Sequence, residues 1–414
     1  MTRLRAAGNR SLRSLRVPNF RDYFIGQILS TVGTGMQMLA QTWLVLDLTG
    51  SATKLGFTIT LLTLPLLILG PWAGAIADRV DNRKVLVVTS TAAALVAGSL
   101  GVLVATHHVT IIWIWVFAFL LGVTQAFDRP AGQALLYELV GPDDLPSAVG
   151  LNGTLNATTR LLGPAAAGLV IATLGMAACF FANAVSFAFV IVAIARIRPA
   201  DMYPRRATRG TIRIRDGLTY AWHTPVIRRG LVAMTIAGTL AYNFAQLVPS
   251  MVRFEFHDGP GALGLVQAVS GVGSVVGGLA VASLVWPTHR TVGIATLVFA
   301  GFVAASAMSP NIFVFGLLFL PCGVASAVYT SSTQALLQRG ADPEYQGRIM
   351  ALFSIAWIGT TPVGATLQGF IIDKWSARAG LFVGAAAALV AGVYLLAGTT
   401  RDRLETPHPE LVVP

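Results

Sequence analysis

Two charged residues, Asp128 and Arg160, lie inside stretches that are otherwise apolar enough to cross a membrane. Charges near the centre of a bilayer are costly and usually functional. Asp128 precedes Glu138 by ten residues, or about 15 Å of helix, which places it near mid-membrane, and Arg160 lies about as deep. The sequence predicts an Asp128–Arg160 pair, with Arg129 as a competing partner. Asp128 either takes up and releases a proton or forms a permanent clamp with Arg160.

A second group of charges belongs to a short polar hinge at residues 74–84, between two apolar stretches. The hinge must lie at a membrane face, because its turn would leave backbone groups unpaired in hydrocarbon. We expect Asp78 to contact Arg348 when that face is shut, and local capping of the hinge is the alternative. The whole group, called the hinge set below, comprises Gly74, Asp78, Arg79, Arg83, Glu138 and Arg348.

Uncharged polar and aromatic residues within the apolar stretches are candidates for binding a substrate. Asn152, Asn156 and Arg160 are spaced by four residues and share one helix face. Such a face favours a cavity over lipid, although hydrogen bonding between helices is an equal alternative for any single amide. The mostly apolar lining suits a large amphiphilic or weakly cationic molecule. The candidates are Gln37, Gln41, Asn152, Asn156, Tyr242, Asn243, Gln246 and Trp357.

The sequence argues against an enzyme, a metal site and a cofactor. The six histidines are scattered, and no phosphate-binding loop of the Walker type is present. Cys179 and Cys322 lie inside apolar stretches without metal-ligand spacing, so we expect small buried hydrophobic residues. Asp47 and Glu255, near the ends of their stretches, are interpreted as ordinary interfacial charges.

The elements that position these residues are apolar helices. Of 414 residues, 55% are hydrophobic and only 11% charged, with a mean hydropathy of +0.69, whereas soluble domains carry about 25% charged residues. We predict an all-α membrane protein with twelve transmembrane helices in two pseudo-symmetric halves of six. The predicted spans are 22–46, 53–76, 84–106, 110–137, 146–172, 176–195, 229–253, 261–286, 291–308, 311–336, 348–372 and 379–398.

The distribution of basic residues predicts the orientation. The net charge of +11 is concentrated in the N-terminal tail and in a central linker, the pattern of cytoplasmic segments rather than of a nucleic-acid-binding surface. We therefore expect both termini to be cytoplasmic, and no cleaved signal peptide. The predicted units are a basic tail (1–21), an N-terminal half (22–195), a linker with an amphipathic helix (196–228), a C-terminal half (229–398) and a second tail (399–414).

The two halves also share a short internal repeat. Gln-Ala-Leu-Leu occurs at residues 133–136 and again at 334–337, and Pro142 and Pro343 follow at the same offset. Equal placement of the repeat within each half is the pattern that duplication produces.

Several segments carry a family resemblance. The hinge pattern, Gly-x-x-x-Asp-Arg-x-x-x-Arg-Lys, resembles the loop signature of the major facilitator superfamily. Segments at 48–51, 126–130, 160–165 and 242–249 are similar to a bacterial branch with drug exporters and enterobactin-type siderophore exporters. In antiporters of that superfamily the fifth span has a Gly-Pro motif, which is similar to Gly163, Pro164 and Gly168 here.

The resemblance implies a function. We expect a monomeric secondary active transporter in a bacterial inner membrane, with a small-molecule substrate, protons and the lipid bilayer as its partners. It would export a small amphiphilic molecule by proton antiport through alternating access. The alternative is a lipid or lysolipid carrier, or a flippase, without proton coupling.

Overall fold

The computed structural model describes residues 12–204, 214–283 and 288–402, and helices without any strand make up this part of the chain. Predictions that fall on 1–11, 205–213, 284–287 and 403–414, including most of both tails, lie outside it. The helices are α1 (Pro18–Thr49), α2 (Ala52–Ala77), α3 (Asn82–Ala105), α4 (Ile111–Leu174), α5 (Met176–Ala195), α6 (Ile214–His223), α7 (Pro225–Leu240), α8 (Phe244–Ser250), α9 (Pro260–Ser283), α10 (His289–Ala307), α11 (Ile312–Gly340), α12 (Gln346–Ile358), α13 (Thr361–Lys374) and α14 (Ala377–Asp402).

The predicted twelve crossings are confirmed. Ten segments of the described chain are long and apolar enough to span a membrane. One of them, α4, has 64 residues and breaks at Gly141, so its two arms supply two crossings. The remaining crossing is α1, which has 32 residues and is less apolar because Gln27, Gln37 and Gln41 lie along it.

The break in α4 requires a glycine. Gly141 has φ 71°, a left-handed conformation that other residues adopt at a cost. A Cβ at this position would also lie only 2.6 Å from the ring of Tyr203. The Tyr203 amide in turn donates to the Glu138 carbonyl oxygen, which the break leaves without a helical partner. Pro142 then begins the second arm, where a missing N–H has no cost.

Helix packing in the two halves is equivalent. In the first half, α2 packs against α4, α3 against α5, and α1 against α5. The second half repeats this arrangement with α9 against α11, α10 against α14, and α7 against α14. The halves meet along α2 with α13, and along the second arm of α4 with α9. This is the pseudo-symmetric architecture that the sequence predicts.

The two ends of the helix bundle contain different helices and turns. The end with α6, Gly141 and the hinge at 78–81 is called the linker end below. The other end, with the turns Gly50–Ser51, Thr106–Thr110 and Trp375–Ser376, is called the opposite end.

Two spans of the C-terminal half are discontinuous. The seventh is interrupted between α7 and α8, and the eleventh between α12 and α13. Side-chain amides satisfy the carbonyl groups freed at the first break: Asn243 donates to Thr239 O at 2.6 Å, and Gln368 of α13 donates to Leu240 O at 2.6 Å. The non-helical backbone is therefore tolerated at membrane depth.

The linker contains the ten-residue helix α6. Its Tyr220 ring stacks on Tyr345 at 4.2 Å, and Ala221 is buried against α11 and α12. Leu218 and Trp222 remain exposed on another side. The apolar residues of this amphipathic helix thus lie on two sides, because some of them pack on the C-terminal half and others remain exposed.

Candidate functional site

A carboxylate closes the opposite end of the bundle across the two halves. Asp373, at the end of α13, accepts hydrogen bonds from the Ser51 hydroxyl (2.6 Å), the Ala52 amide (2.7 Å) and the Thr53 amide (3.0 Å). These donors form the N-terminus of α2, whose unpaired amides and positive dipole end favour an anion. The contact therefore holds the C-terminal half against the N-terminal half.

Close helix contact extends this closure towards the middle of the bundle. A Cβ at Gly369 would lie 2.7 Å from Thr53 Cα, so α13 and α2 touch through their backbones. Farther along α2, Thr60 donates to Pro362 O at 2.8 Å. Gln246 of α8 joins the same interface by donating to Ala52 O at 2.7 Å.

An ion pair also crosses the halves at this end. Arg253 lies 3.0 Å from Asp47 of α1, and its guanidinium lies over the ring of Trp43. Both charged side chains are substantially exposed, so the pair contributes little free energy. The Arg378–Glu255 pair, at 2.9 Å, lies within the C-terminal half. Asp47 and Glu255 are thus paired at the opposite end rather than isolated interfacial charges.

At the linker end, the described residues show no comparable contacts between the halves. Gly70 and Gly74 of α2, Gly153 of α4 and Gly278 of α9 have open space where a Cβ would stand. Asp78 is exposed, and within the described residues it has no ion pair. Since the interfaces touch at one end and separate at the other, the space between the halves opens towards the linker end.

The predicted contact between Asp78 and Arg348 is absent from this open arrangement. Arg348 instead lies with its guanidinium 4.9 Å from the Tyr345 ring centroid, and its Cβ packs against Gly217 of α6. The contact was expected only for the shut state, so it stays a prediction. Arg79 is exposed beside Asp78.

Two members of the hinge set act within one half. Arg83 forms an ion pair with Asp81, 2.7 Å away, at the N-terminus of α3. Glu138 is buried and accepts a 2.7 Å hydrogen bond from Asn82. In this conformation both fix the hinge to its own half, and the local capping expected as the alternative describes them better than a latch between halves.

The predicted ion pair between Asp128 and Arg160 is wrong for this conformation. Asp128 of the first α4 arm accepts a 2.8 Å hydrogen bond from Thr89 of α3. Arg160, in the second arm, has no ion pair or side-chain hydrogen bond among the described residues. Counted from the break at Gly141, Arg160 lies six residues farther along its arm than Asp128 does along the other, a difference in depth of about 9 Å. Their helical phases also point the two side chains to different neighbours.

The helical phase of Arg160 points it towards the space between the halves. At about 100° per residue, Leu162 and Leu169 lie about 200° and about 180° around the helix from Arg160, and both leucines are exposed. Apolar exposed leucines mark the lipid side. Gly163 on one flank contacts α1, and Pro164 on the other contacts α9. Arg160, itself exposed, therefore faces the interior of the bundle.

The same face holds the two predicted asparagines. Asn152 and Asn156 are exposed, and Asn156 donates to Asn152 O at 2.9 Å. With Arg160 they form a polar stripe along the second arm of α4, on the side expected from their spacing.

The Gly-Pro motif of this arm makes tight helix contacts. A Cβ at Gly163 would lie 2.9 Å from Gly35 Cα, so α4 and α1 pack through backbone. Pro164 and Gly168 lie against Gly264 of α9 in the same manner. Small residues allow this approach. The motif thus allows α1 and α9 to pack closely on the two sides of the polar stripe.

Four of the other candidates are buried within helix contacts. Gln37 accepts a 2.6 Å hydrogen bond from Asn183, and Gln41 is buried beside it on α1. Asn243 caps α7, and Gln246 belongs to the interface with α2. For Gln37, Asn243 and Gln246 the structure shows hydrogen bonding within the bundle.

The two aromatic candidates meet at the helix breaks. The ring centroids of Tyr242 and Trp357 are 4.9 Å apart, and both residues are half-buried. Tyr242 also stacks on Phe299 and Tyr329, at 4.8 and 5.5 Å. Discontinuous membrane helices commonly border binding sites. This aromatic group therefore offers an apolar wall beside the breaks.

Sequence reasoning missed Asp373. Its signal was weak: one acidic residue at the end of a span, with Ser51 and Thr53 at the start of another span far away in the chain. Only the fold brings these segments together. Among the described residues, no group of three or more His, Cys, Asp or Glu could hold a metal.

The chain resembles curated bacterial proteins along most of its length. It is 27% identical over 361 residues to the multidrug efflux pump Tap of Mycolicibacterium fortuitum, covering 82% of this chain and 86% of Tap. Macrolide efflux protein A of Streptococcus pyogenes is 25% identical, with 86% and 89% covered. The staphyloferrin A transporter of Staphylococcus aureus is 22% identical, with 85% and 89% covered.

Solved structures share the fold. A bacterial homologue of the human lysosomal transporter Spinster, in an inward-facing and unoccupied conformation, superimposes with a TM-score of 0.73 at 11% identity. The match covers 95% of this chain and 99% of that one.

Residues 10–406 match the transmembrane secretion effector family of major facilitator proteins. That match spans both halves, the polar stripe and the two interfaces. The chain therefore belongs to the transmembrane secretion effector family and is a multi-pass membrane transporter of the major facilitator type, not an enzyme.

Proposed function

We propose that this chain exports a small amphiphilic molecule by proton antiport, through alternating access to a cavity between its halves. The observation that carries the proposal is the uneven contact between the halves. Asp373 joins them at the opposite end. At the linker end, a Cβ at Gly74 would meet no other described residue within 4 Å, and Asp78 is exposed. A cavity open at one end and sealed at the other is what alternating access requires of one state.

The direction of export follows from the charge distribution. Basic residues are concentrated at the linker end, which we assign to the cytoplasm of a bacterial inner membrane. The conformation described above is then inward-open, ready to accept a molecule from the cytoplasm. The efflux named for the similar proteins Tap and macrolide efflux protein A supports this direction.

The lining of the cavity favours a substrate with an anionic or zwitterionic group on an apolar body. Arg160 faces the interior without a counter-ion in the described chain, so a carboxylate or phosphate would bind there with a charge-assisted hydrogen bond. Tyr242 and Trp357 supply an apolar surface for the rest of the molecule. This proposal replaces the weakly cationic substrate expected from the sequence.

Asp128 is the proposed proton carrier. A carboxylate in a membrane span is costly when charged, and protonation removes that cost. Thr89 is its hydrogen-bond partner, and a hydroxyl can serve either the charged or the neutral carboxyl by rotating. Among the described residues Asp128 forms no salt bridge with an arginine, which leaves a carrier free to alternate between its charged and neutral forms.

The test is transport into proteoliposomes with an imposed pH gradient, using a macrolide and staphyloferrin A as probes. We expect at least one probe to accumulate against its gradient, and an uncoupler to abolish that accumulation. Transport that is unaffected by the uncoupler would instead support the lipid or lysolipid carrier, which needs no proton coupling.

A further inference from the structure

A crevice on the C-terminal half lies between α10 and α11, away from both interfaces between the halves. Its volume is about 520 Å³, and its walls include Ile294, Val298 and Phe302 of α10 with Leu320 and Val324 of α11. α10 packs against α11 and α14, whereas α8, α9 and α13 contact the N-terminal half. The crevice therefore opens to the lipid rather than to the central cavity.

The depth of the crevice matches one leaflet. From Arg290 to Phe302 the wall runs twelve residues along α10, or about 18 Å. Half of the hydrocarbon core is about 15 Å thick. The crevice thus begins at the lipid headgroups of the linker-end leaflet and ends near the bilayer centre, as an acyl chain does.

A positive charge stands at the headgroup end. Arg290 is exposed at the start of α10 and has no ion pair among the described residues. The hydroxyls of Thr288 and Thr291 lie beside it at the helix N-terminus, and the described residues that line the crevice include no acidic one. A phosphate group would meet the guanidinium, hydroxyl donors and the positive end of the helix together.

The corresponding crevice of the first half differs in charge. It lies between α3 and the first arm of α4, has a volume of about 390 Å³, and begins at Lys84. Its wall includes Thr89, the partner of Asp128, and Asp81 lies at its mouth. Asp81 is paired with Arg83, and Asp128 bonds to Thr89 of the wall, so acidic and basic groups are mixed around this crevice. Among the described residues, Arg290 is the charged residue that lines the crevice between α10 and α11.

We infer that the crevice between α10 and α11 binds an anionic phospholipid of the leaflet at the linker end. Its acyl chain occupies the apolar groove, and its phosphodiester contacts Arg290. The inference concerns a lipid held on the outside of the transporter, and it is independent of the proposed export reaction.

The experiment is native mass spectrometry of the full-length protein after delipidation in detergent. Phosphatidylglycerol and phosphatidylcholine with the same acyl chains are titrated separately. We expect tighter binding of phosphatidylglycerol. Arg290→Gln should lower that affinity about fivefold, which corresponds to about 1 kcal/mol for one basic residue at the membrane surface. The loss should be smaller for phosphatidylcholine, because its choline ammonium already neutralises the phosphate.

Two further variants make the result decisive. Val298→Trp fills the groove at an exposed position, so it should weaken both lipids without unfolding the protein, which circular dichroism and thermal melting would verify. Arg16→Gln removes an exposed basic residue that lines neither of the two crevices described above and should change neither affinity. Equal binding of the two lipids, or an Arg16→Gln effect as large as that of Arg290→Gln, would overturn the inference.

Discussion

The Ser51 hydroxyl donates a 2.6 Å hydrogen bond to the carboxylate of Asp373, a residue 322 positions later in the chain. Ser51 is also the N-cap of α2, and Asp373 takes two further hydrogen bonds from the first amides of that helix. One carboxylate thus accepts hydrogen bonds from the otherwise unpaired N-terminal amides of a helix in the other half. Opening this end would expose those amides to water, which can replace the carboxylate.

We predict that Asp373→Asn opens the end that Ser51 closes. The amide has one acceptor oxygen and no charge, so it loses charge-assisted hydrogen bonds worth about 1.5–3 kcal/mol each. The open population should rise at least tenfold, since 1.4 kcal/mol corresponds to a factor of ten. Spin labels at Lys54 and Lys374 would measure the distance distribution across this end.

The matched control is Asp258→Asn, which makes the same change in an opposite-end loop. Among the described residues its carboxylate accepts one hydrogen bond, from the adjacent Gly259 amide. Its distance distribution should equal that of the unmodified protein. An Asp373→Asn distribution that also remains unchanged would contradict the role of this contact in closure.

We predict that Gly74→Leu blocks closure of the linker end. Gly74 has free space in the open state, so the substitution should not disturb that state. In the shut state the first and second halves must approach there, and a leucine would hold them apart. Transport should fall at least tenfold with normal thermal stability, while Gly301→Leu, on α10 with similar free space, should transport normally.

We predict that Asp128→Asn abolishes uphill accumulation but preserves downhill exchange. A proton moving through 100 mV supplies about 2.3 kcal/mol, enough for roughly fiftyfold accumulation of a neutral substrate. The fold should survive, because Arg160 does not depend on Asp128 for its charge balance. Asp22→Asn, at an exposed site, is the control. A variant that still concentrates its substrate would rule out Asp128 as the carrier.

We predict that Arg160→Gln weakens an anionic substrate about tenfold or more, the loss of one charge-assisted hydrogen bond. A neutral substrate should be affected little. Arg160→Lys keeps the positive charge and should retain much of the affinity. Binding measured by tryptophan quenching would test this, and equal losses for anionic and neutral probes would contradict it.

We predict that both termini are cytoplasmic. A cysteine at Glu344, in an exposed linker-end turn, should be protected in intact cells from an impermeant thiol reagent. A cysteine at Lys54, exposed at the opposite end, should be labelled. The native Cys179 and Cys322 are buried and should give little background. The reverse labelling pattern would invert the topology.

The sequence by itself determined the spans and their number. Long apolar stretches separated by polar turns can only be helices that cross a bilayer, because no other element pairs its backbone within so few residues. Glycine and proline at Gly141 and Pro142 likewise mark a break through local backbone geometry. The polar stripe of Asn152, Asn156 and Arg160 also followed from spacing alone, since a helix fixes which residues share a face.

Only the tertiary structure decided which charges meet. Depth along a helix can be counted from the sequence, but the direction of a side chain around the bundle depends on how each helix is rotated against its neighbours. For this reason Asp128 bonds to Thr89 rather than to Arg160, and Gln246 lies in an interface rather than a cavity. The closure by Asp373 and Ser51 depends further on the conformational state, because the halves bring these residues together at one end only while they part at the other.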